Sequence, residues 1–506
     1  MKEESNMNFM GIDLGTSSVK LIIMNEKGNI LESVSKNYDI SYPEPGWAEQ
    51  NPEHWWNSTK LGIKELIDKH NIIPESISGI SFSGQMHGLV ILDKNNEVLM
   101  PAILWCDQRT QKQCDYLNMK FGQDKLSEYT GNMALTGFTL PKVLWVKENK
   151  PDIYSKIAHI MLPKDYISFK LTGIFATDVT DASGTVMFDV KNRKWSGEMI
   201  DLLELDEKVL PEVYESYEVI GTVSKEVSME IGLSTKTNVI AGAGDQAAGA
   251  VGTGTVDSGI LSVALGTSGV VFASSEKFNV DKKNRLHSFC HANGRWHQMG
   301  VILSAAASLK WWIENVNIDV HGDAFEKLLK EAEDSHVGSN RLLFLPYLIG
   351  ERTPYNDPYA KGSFIGLNIT HNRGDMTRSI LEGVCFALRD SLEILKSMNV
   401  DMKEVRISGG GSKSRLWRQI VADVFNLNVN LVNSMEGPAY GAAILASVGC
   451  KLFNSVDEAC ASLIKSVEIL KPKIENVQKY NRLYKVYSSL YYCLKDKFKE
   501  IDDLLM

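Results

Sequence analysis

A tetrapeptide near the N-terminus, Leu14-Gly15-Thr16-Ser17, returns about half the sequence later as Leu265-Gly266-Thr267-Ser268, and its surroundings return with it. Residues 9–13 and 19–24 are strand-like runs on either side of the first copy; residues 261–265 and 270–273 flank the second. Each copy reads as a β-hairpin closed by a Gly/Ser turn. One such hairpin would say little. Two predict a duplicated architecture in which related domains each offer a turn to a shared cleft, and 506 residues leave room for two or three domains.

The remainder reads as mixed α/β. Ile380, Val384, Leu388, Leu392 and Leu395 recur at helical spacing and predict a helix over 376–396. A strand over 405–407, the run Ser408-Gly409-Gly410-Gly411-Ser412 and a helix over about 414–425 follow. Near the end, Tyr480, Leu483, Tyr484, Tyr487, Leu490, Tyr491 and Leu494 form the apolar stripe of a packing helix. Strands alternating with helices predict layered α/β domains.

Composition narrows the partners. A formal charge of −9 gives no concentrated basic surface for nucleic acid or an anionic membrane. Phosphate is therefore expected on backbone N–H groups and a metal ion. The seven cysteines are scattered without a Cys-x-x-Cys pair, which fits a reducing compartment. The opening Met1-Lys2-Glu3-Glu4-Ser5 is unlike a signal peptide, and no run of apolar residues is long enough to span a bilayer. The expectation is a soluble, cytoplasmic protein.

The first hairpin carries Asp13 just before its turn. Gly15, Thr16 and Ser17 offer the N–H and hydroxyl donors that a phosphate wants. A carboxylate beside them would repel phosphate unless a cation intervened, so Asp13 is expected to serve Mg²⁺, directly or through water. The second turn, Gly266, Thr267 and Ser268, has Ala264 in the corresponding place and would hold the other end of a polyphosphate.

The stretch Val239-Ile240-Ala241-Gly242-Ala243-Gly244-Asp245-Gln246-Ala247-Ala248-Gly249 reads as a strand entering a small-residue helix. It matches a relaxed dinucleotide fingerprint, but Asp245 would face the pyrophosphate and no ribose-gripping acid follows about 20 residues on. Asp245 is better cast as a general base at a strand end. No Gly-Lys dipeptide occurs, so a Walker A loop is absent. Gly409, Gly410 and Gly411 allow a flat ligand close approach to the backbone. Gly84-Gln85-Met86-His87-Gly88 and Leu104-Trp105-Cys106-Asp107-Gln108-Arg109 combine polar groups with an aromatic face, as a polyhydroxylated ligand requires. His287, Cys290, His291 and His297 suggest zinc only weakly, because no companion ligand pair accompanies them.

These residues resemble the FGGY carbohydrate kinases over nearly the whole sequence. The resemblance rests on Gly11-Ile12-Asp13-Leu14-Gly15-Thr16-Ser17, Gly84-Gln85-Met86-His87-Gly88, and Pro101-Ala102-Ile103-Leu104-Trp105 with Asp107 and Arg109. Gly137-Phe138-Thr139-Leu140-Pro141-Lys142-Val143-Leu144-Trp145 is similar to the family's first signature, and Gly362-Ser363-Phe364-Ile365-Gly366-Leu367 with Leu381-Glu382 to its second. Leu162-Pro163-Lys164-Asp165-Tyr166, His287-Ser288-Phe289-Cys290-His291-Ala292 and Gly350-Glu351-Arg352-Thr353-Pro354 belong to the same likeness.

The resemblance implies two actin-like (ribonuclease-H-like) α/β domains, residues 1–247 and 248–506, closing on ATP and a sugar. The last helix is left free to pack back on the N-terminal lobe. It further implies Asp245 as catalytic base, Asp13 and the two turns for metal and phosphates, and Gly409–Gly411 beside the adenosine. Met86, His87, Trp105, Asp107, Asp245 and Gln246 would line the sugar site. Gln246 stands where many of the most similar members carry Asn, a longer amide that can change which hydroxyls are read. The expected reaction is in-line transfer from ATP to O5 of D-xylulose in its acyclic form, with Asp245 ionised near its ordinary pKa of about 3.9. Another ketose, a polyol or an aldonate is the alternative substrate, and a sugar-independent actin-like ATPase the alternative class. A homodimer is left open.

Overall fold

The computed structural model describes residues 7–318, 323–433 and 437–504; the opening Met1–Ser5 lies outside the described residues. Two seven-stranded sheets carry the architecture. In the first, the hairpin Asn8–Leu14 and Ser18–Asn25 is extended by antiparallel Ile30–Asn37 on one side and by parallel Ile77–Gly84 on the other. Strands Asn238–Ile240, Ala243–Gly244 and Val219–Thr222 complete it. In the second sheet, the hairpin Gly259–Leu265 and Gly269–Ser275 has antiparallel Trp296–Ile302 on one side and parallel Met402–Ser408 on the other. The repeated tetrapeptide therefore marks a repeated topology.

Register then decides what meets. Leu14 lies beside Gly84, and Gly84 beside Gly244. Three parallel strands thus end together and deliver the turn at Gly15, the segment Gln85–His87 and Asp245 to one edge. In the second sheet Ala264 pairs with Ser408, which sets Gly409 against the second turn. Ligands of open α/β sheets gather at such carboxyl ends.

The apolar periodicity at 376–396 corresponds to helix Arg373–Ser397. It starts earlier than the apolar pattern because Asn372 and Asp375 close a capping box: each side chain accepts from the other's backbone N–H, at 3.0 and 3.1 Å. The last helix, Ile474–Asp503, corrects the option of packing back on the N-terminal lobe. Its buried face, Tyr480, Tyr487, Tyr491 and Phe498, joins the core of the second sheet against helices Arg373–Ser397 and Arg415–Phe425. Buried tyrosines need partners for their hydroxyls, and these are there. Tyr480 donates to Glu382 at 2.7 Å and Tyr484 to Asp390 at 2.6 Å.

The element that does cross over is helix Gly437–Gly449, which lies on the first sheet and against helix Asp245–Gly252. Only glycine permits this approach. A Cβ at Gly11 would stand 2.0 Å from the Ala439 carbonyl oxygen, and one at Gly441 1.8 Å from that of Ala248. Gly441→Ala is therefore expected to destabilise the protein by about 1–3 kcal/mol and to lower activity by shifting the helix that begins at Asp245. Thermal melting and turnover of the variant check this; an unchanged melting temperature would refute the close crossing.

Candidate active site

Other residues occupy the carbonyls of the two turns; of the N–H groups, that of Gly15 donates to Ser18 O at 3.0 Å. Gly15, Thr16 and Ser17 oxygens accept from the Tyr38 hydroxyl (2.6 Å), Gln50 (2.7 Å) and the Tyr38 N–H (3.0 Å). The N–H groups of Thr16 and Ser17 have no partner within the described residues. In the second turn Gly266 O accepts from Ala306 N at 2.9 Å, and Thr267 O accepts from Ala305 N at 2.9 Å and Ala307 N at 3.2 Å. The N–H groups of Gly266, Thr267 and Ser268 are likewise unengaged among the described residues. Unpaired, convergent N–H groups are what an anion requires. Gly409, at φ +84°, abuts this turn: a Cβ there would lie 2.7 Å from Leu265 O and 3.0 Å from Gly266 N, so the glycine run adjoins the second turn.

Asp13 sits opposite Ser83 in the strand register, and the Ser83 hydroxyl donates to its Oδ1 at 2.8 Å. Burial raises the Asp13 pKa despite that bond and the charge of Lys20. Asp245 is the first residue of its helix, at the end of strand Ala243–Gly244. Burial and the nearby Asp13 charge push its carboxyl up to about 7, correcting the ordinary value expected from sequence. A carboxylate poised near neutrality is a competent proton acceptor. The mutual repulsion also bears on metal: two neighbouring desolvated acids fit a divalent cation that keeps most of its waters. Among the described residues no group of three or more His, Cys, Asp or Glu forms a dedicated cage.

A cavity of about 170 Å³ opens between the halves. Met86, His87, Trp105, Asp245 and Gln246 line it from the first half, and Ser268, His287 and Arg352 from the second. Trp105 donates from Nε1 to the Thr16 hydroxyl at 3.0 Å and so ties this cavity wall to the first turn. Lys142 braces the adjoining wall, donating to the carbonyls of His87 (2.8 Å) and Gly137 (2.6 Å). His87 adopts φ +70° and faces the Gly184 carbonyl from Nδ1 at 2.7 Å. Burial holds it neutral, well below the usual imidazole range.

Asp107 is the correction among the expected sugar ligands. It is fully buried and not on the cavity wall. Its carboxylate accepts from Ala48 N (2.7 Å) and, bidentately, from Arg109, which itself lies 3.7 Å from the ring centre of Trp47. This closed network fixes the loop that carries Trp105. The dinucleotide-like glycines also have packing roles: a Cβ at Gly242 would stand 2.4 Å from Phe82 O, and one at Gly244 2.8 Å from the Met86 sulfur. The residues noted for zinc have other partners. His291 meets Thr255 O at 2.9 Å, His297 stacks on Phe272, and Cys290 donates to Val190 O at 3.4 Å.

His287 goes instead to the cavity, with its Nδ1 3.1 Å from Asn132 Oδ1. His287, Phe138 and Arg352 are among the wall residues that sequence reasoning did not assign to the site. Each lies in a stretch that carried the family likeness, but nothing local ties those stretches to one another.

A duplicated actin-like α/β fold that turns two sets of free amides and a buried carboxylate toward one cleft is the framework of a phosphotransferase acting on a small hydroxylated molecule. This chain belongs to the FGGY family of carbohydrate kinases: residues 8–252 match that family's N-terminal domain and residues 261–450 its C-terminal domain. It is 40% identical over 488 residues to the xylulose kinase of Bacillus subtilis (strain 168), covering 96% of this chain and 97% of that one. Against the xylulose kinase of Escherichia coli (strain K12) it is 39% identical over 474 residues, covering 93% and 95%. Its structure matches a xylulose kinase from Brucella ovis with a TM-score of 0.90 at 37% identity, over 97% of this chain and 99% of that one. It matches a gluconate kinase from Lactobacillus acidophilus with a TM-score of 0.92 at 26% identity, over 98% and 100%. Among the described residues no helix is long and apolar enough to cross a membrane.

Proposed function

We propose that this protein transfers the γ-phosphoryl group of ATP to the O5 hydroxyl of acyclic D-xylulose. The observation that carries the reading is that Asp245 and Ser268 of the second turn border the same cavity, so a proton acceptor and a phosphate-binding turn face one ligand. The choice of sugar is supported by the likeness to xylulose kinases over nearly the full length.

O5 attacks the γ-phosphorus as the bond to the ADP oxygen breaks, and Asp245 takes the hydroxyl proton. Such transfers ask mainly for positioning and charge stabilisation. The N–H groups of the two turns would meet the charge on the phosphates, with Gly409, Gly410 and Gly411 beside the adenosine. Asp13 would hold Mg²⁺, directly or through water, and the ion would offset negative charge on the phosphates. Met86, His87, Trp105 and Gln246 orient the sugar. The lobes close around both ligands, which keeps water from the phosphoryl group. We place their division between Gly252 and Gly259, because a cut between 247 and 248 would fall inside helix Asp245–Gly252.

The test is ADP release with Mg-ATP across D-xylulose, D-ribulose, L-ribulose, L-xylulose, glycerol, xylitol and gluconate, with a no-sugar control. Selective release with D-xylulose is the expected outcome. Release with gluconate or another sugar in its place would move the specificity within the family. Equal release with and without sugar would refute sugar phosphorylation in favour of a bare ATPase.

A further inference from the structure

One cation enters the cavity, and its backbone is fixed beside the second turn. Thr353 N donates to Val301 O at 3.0 Å, and Val301 N to the Thr353 hydroxyl at 3.0 Å. Val301 and Ile302 pair in turn with Val270 and Gly269, the residues that lead directly out of the turn. A little further on, Ala305, Ala306 and Ala307 donate the N–H groups that occupy the turn's own carbonyls. Arg352 is thus held one strand away from the second turn, and its side chain borders the same cavity as Ser268, Val270 and Val301.

The guanidinium is unspent: it makes no hydrogen bond or ion pair among the described residues. Neighbouring Glu351 is turned to backbone, its Oε1 accepting from Leu303 N at 2.9 Å and Arg352 N at 2.8 Å. Burial lowers the Arg352 pKa, yet an arginine stays charged at neutral pH. Among the described residues it is the one cationic side chain on the cavity wall, since burial holds His87 and His287 neutral. The second turn itself carries no charge, and the sequence has no Walker A lysine to supply one. A buried cation without a partner is costly unless an anion completes it. A ketose is neutral. The anion that sugar phosphorylation brings to this cavity is the phosphoryl group.

We infer that Arg352 donates from its guanidinium to the oxygens of the phosphoryl group in transfer, and to those of the phosphate ester it becomes on the sugar. This rests on the sugar-kinase reading and adds a charged donor to the neutral amides of the second turn. The bond from O5 to phosphorus forms as the bond to the ADP oxygen breaks; Asp245 takes the O5 proton, and Arg352 keeps all of its own. A planar fork of N–H groups matches phosphate oxygens, and a donor already in place needs no reorganisation as the transition state forms.

Turnover and isothermal titration without nucleotide test this on wild type, Arg352→Gln and Arg352→Lys, with D-xylulose, D-xylulose 5-phosphate and gluconate. Arg352→Gln is expected to lower kcat by about 10²–10³-fold, the loss for one donor aimed at transition-state oxygens. It should weaken D-xylulose 5-phosphate binding by roughly 10–100-fold, the range for hydrogen bonds to a charged group, and D-xylulose binding by less than about threefold. Arg352→Lys, which keeps charge and donors, is expected to recover part of both losses. Melting temperatures at or above that of wild type would exclude a folding defect, since no partner of Arg352 is left unpaired. Equal weakening of D-xylulose and its phosphate overturns the inference, because the arginine would then read the sugar. An unchanged kcat also overturns it. So does gluconate binding wild type more tightly than D-xylulose and losing that advantage in Arg352→Gln, which would assign the charge to a substrate carboxylate. A wild-type enzyme that releases ADP with D-xylulose keeps the kinase reading through any of these results; one that responds to no sugar loses both.

Discussion

Asp245→Ala is expected to lower sugar-dependent ADP release by about 10³-fold, within the 10²–10⁴ that a positioned general base contributes, and to leave the fold intact. The side chain stands at a strand end on the cavity wall and takes part in no ion pair among the described residues. Removing it takes away a buried negative charge that repels Asp13, so the melting temperature should hold or rise. Asp245→Asn, which keeps the shape and loses the basicity, should fall with it. A coupled ADP assay and a thermal melt on the same preparations decide the matter. Turnover near the wild-type rate would assign proton removal to another group.

The largest effect on stability is expected at Lys164, which lies 2.6 Å from Asp165, 2.9 Å from Asp178 and 3.8 Å from Asp181. All four side chains are buried, and both Asp181 carboxylate oxygens lack a hydrogen bond among the described residues. Lys164→Met would leave three buried acids with no cation, and breaking such a set costs about 3–5 kcal/mol. Burial raises the Asp165 and Asp181 carboxyls even with the lysine present, Asp181 strongly. Without it their folded pKa values rise further above the unfolded ones. Stability is then lost as pH climbs through that interval, so the melting gap to wild type should be wider at pH 8 than at pH 5. A gap independent of pH would argue for lost packing alone.

Activity should suffer as well. Asp178 accepts from the Thr180 hydroxyl at 2.6 Å, and that hydroxyl accepts from Gly244 N at 2.9 Å, one residue before Asp245. The cluster thus supports the position of Asp245. At a temperature where Lys164→Met is folded, kcat should fall more than KM rises.

Sequence and structure part company at identifiable residues. The two hairpins, both turns and the strand-to-helix step at Asp245 were legible, because strand alternation, turn glycines and a carboxylate at a strand end are local patterns. Met86, His87, Trp105 and Gln246 were legible for a similar reason: their motif ends a strand or adjoins the base. Asp107 shared a motif with Trp105, yet the turn over 104–107, closed by the Asp107 N–H on Leu104 O at 3.2 Å, sent one side chain to the cavity and the other to Arg109. His287 looked like a stray metal ligand until the sheet pairing brought it to the wall. Arg352 comes from a loop far along the sequence.

By itself the sequence determined the duplicated α/β architecture, the two Gly-Thr-Ser turns, the acid at a strand end and the sugar-kinase family to which they belong, since each depends on residues near one another in sequence. Tertiary structure alone decided which groups share the cavity, that burial and Asp13 push the Asp245 carboxyl up, that helix Gly437–Gly449 crosses to the first sheet, and that Arg352 enters the site without a partner among the described residues. Burial and the charges that surround a group depend on segments hundreds of residues apart, and no local pattern encodes the desolvation they impose.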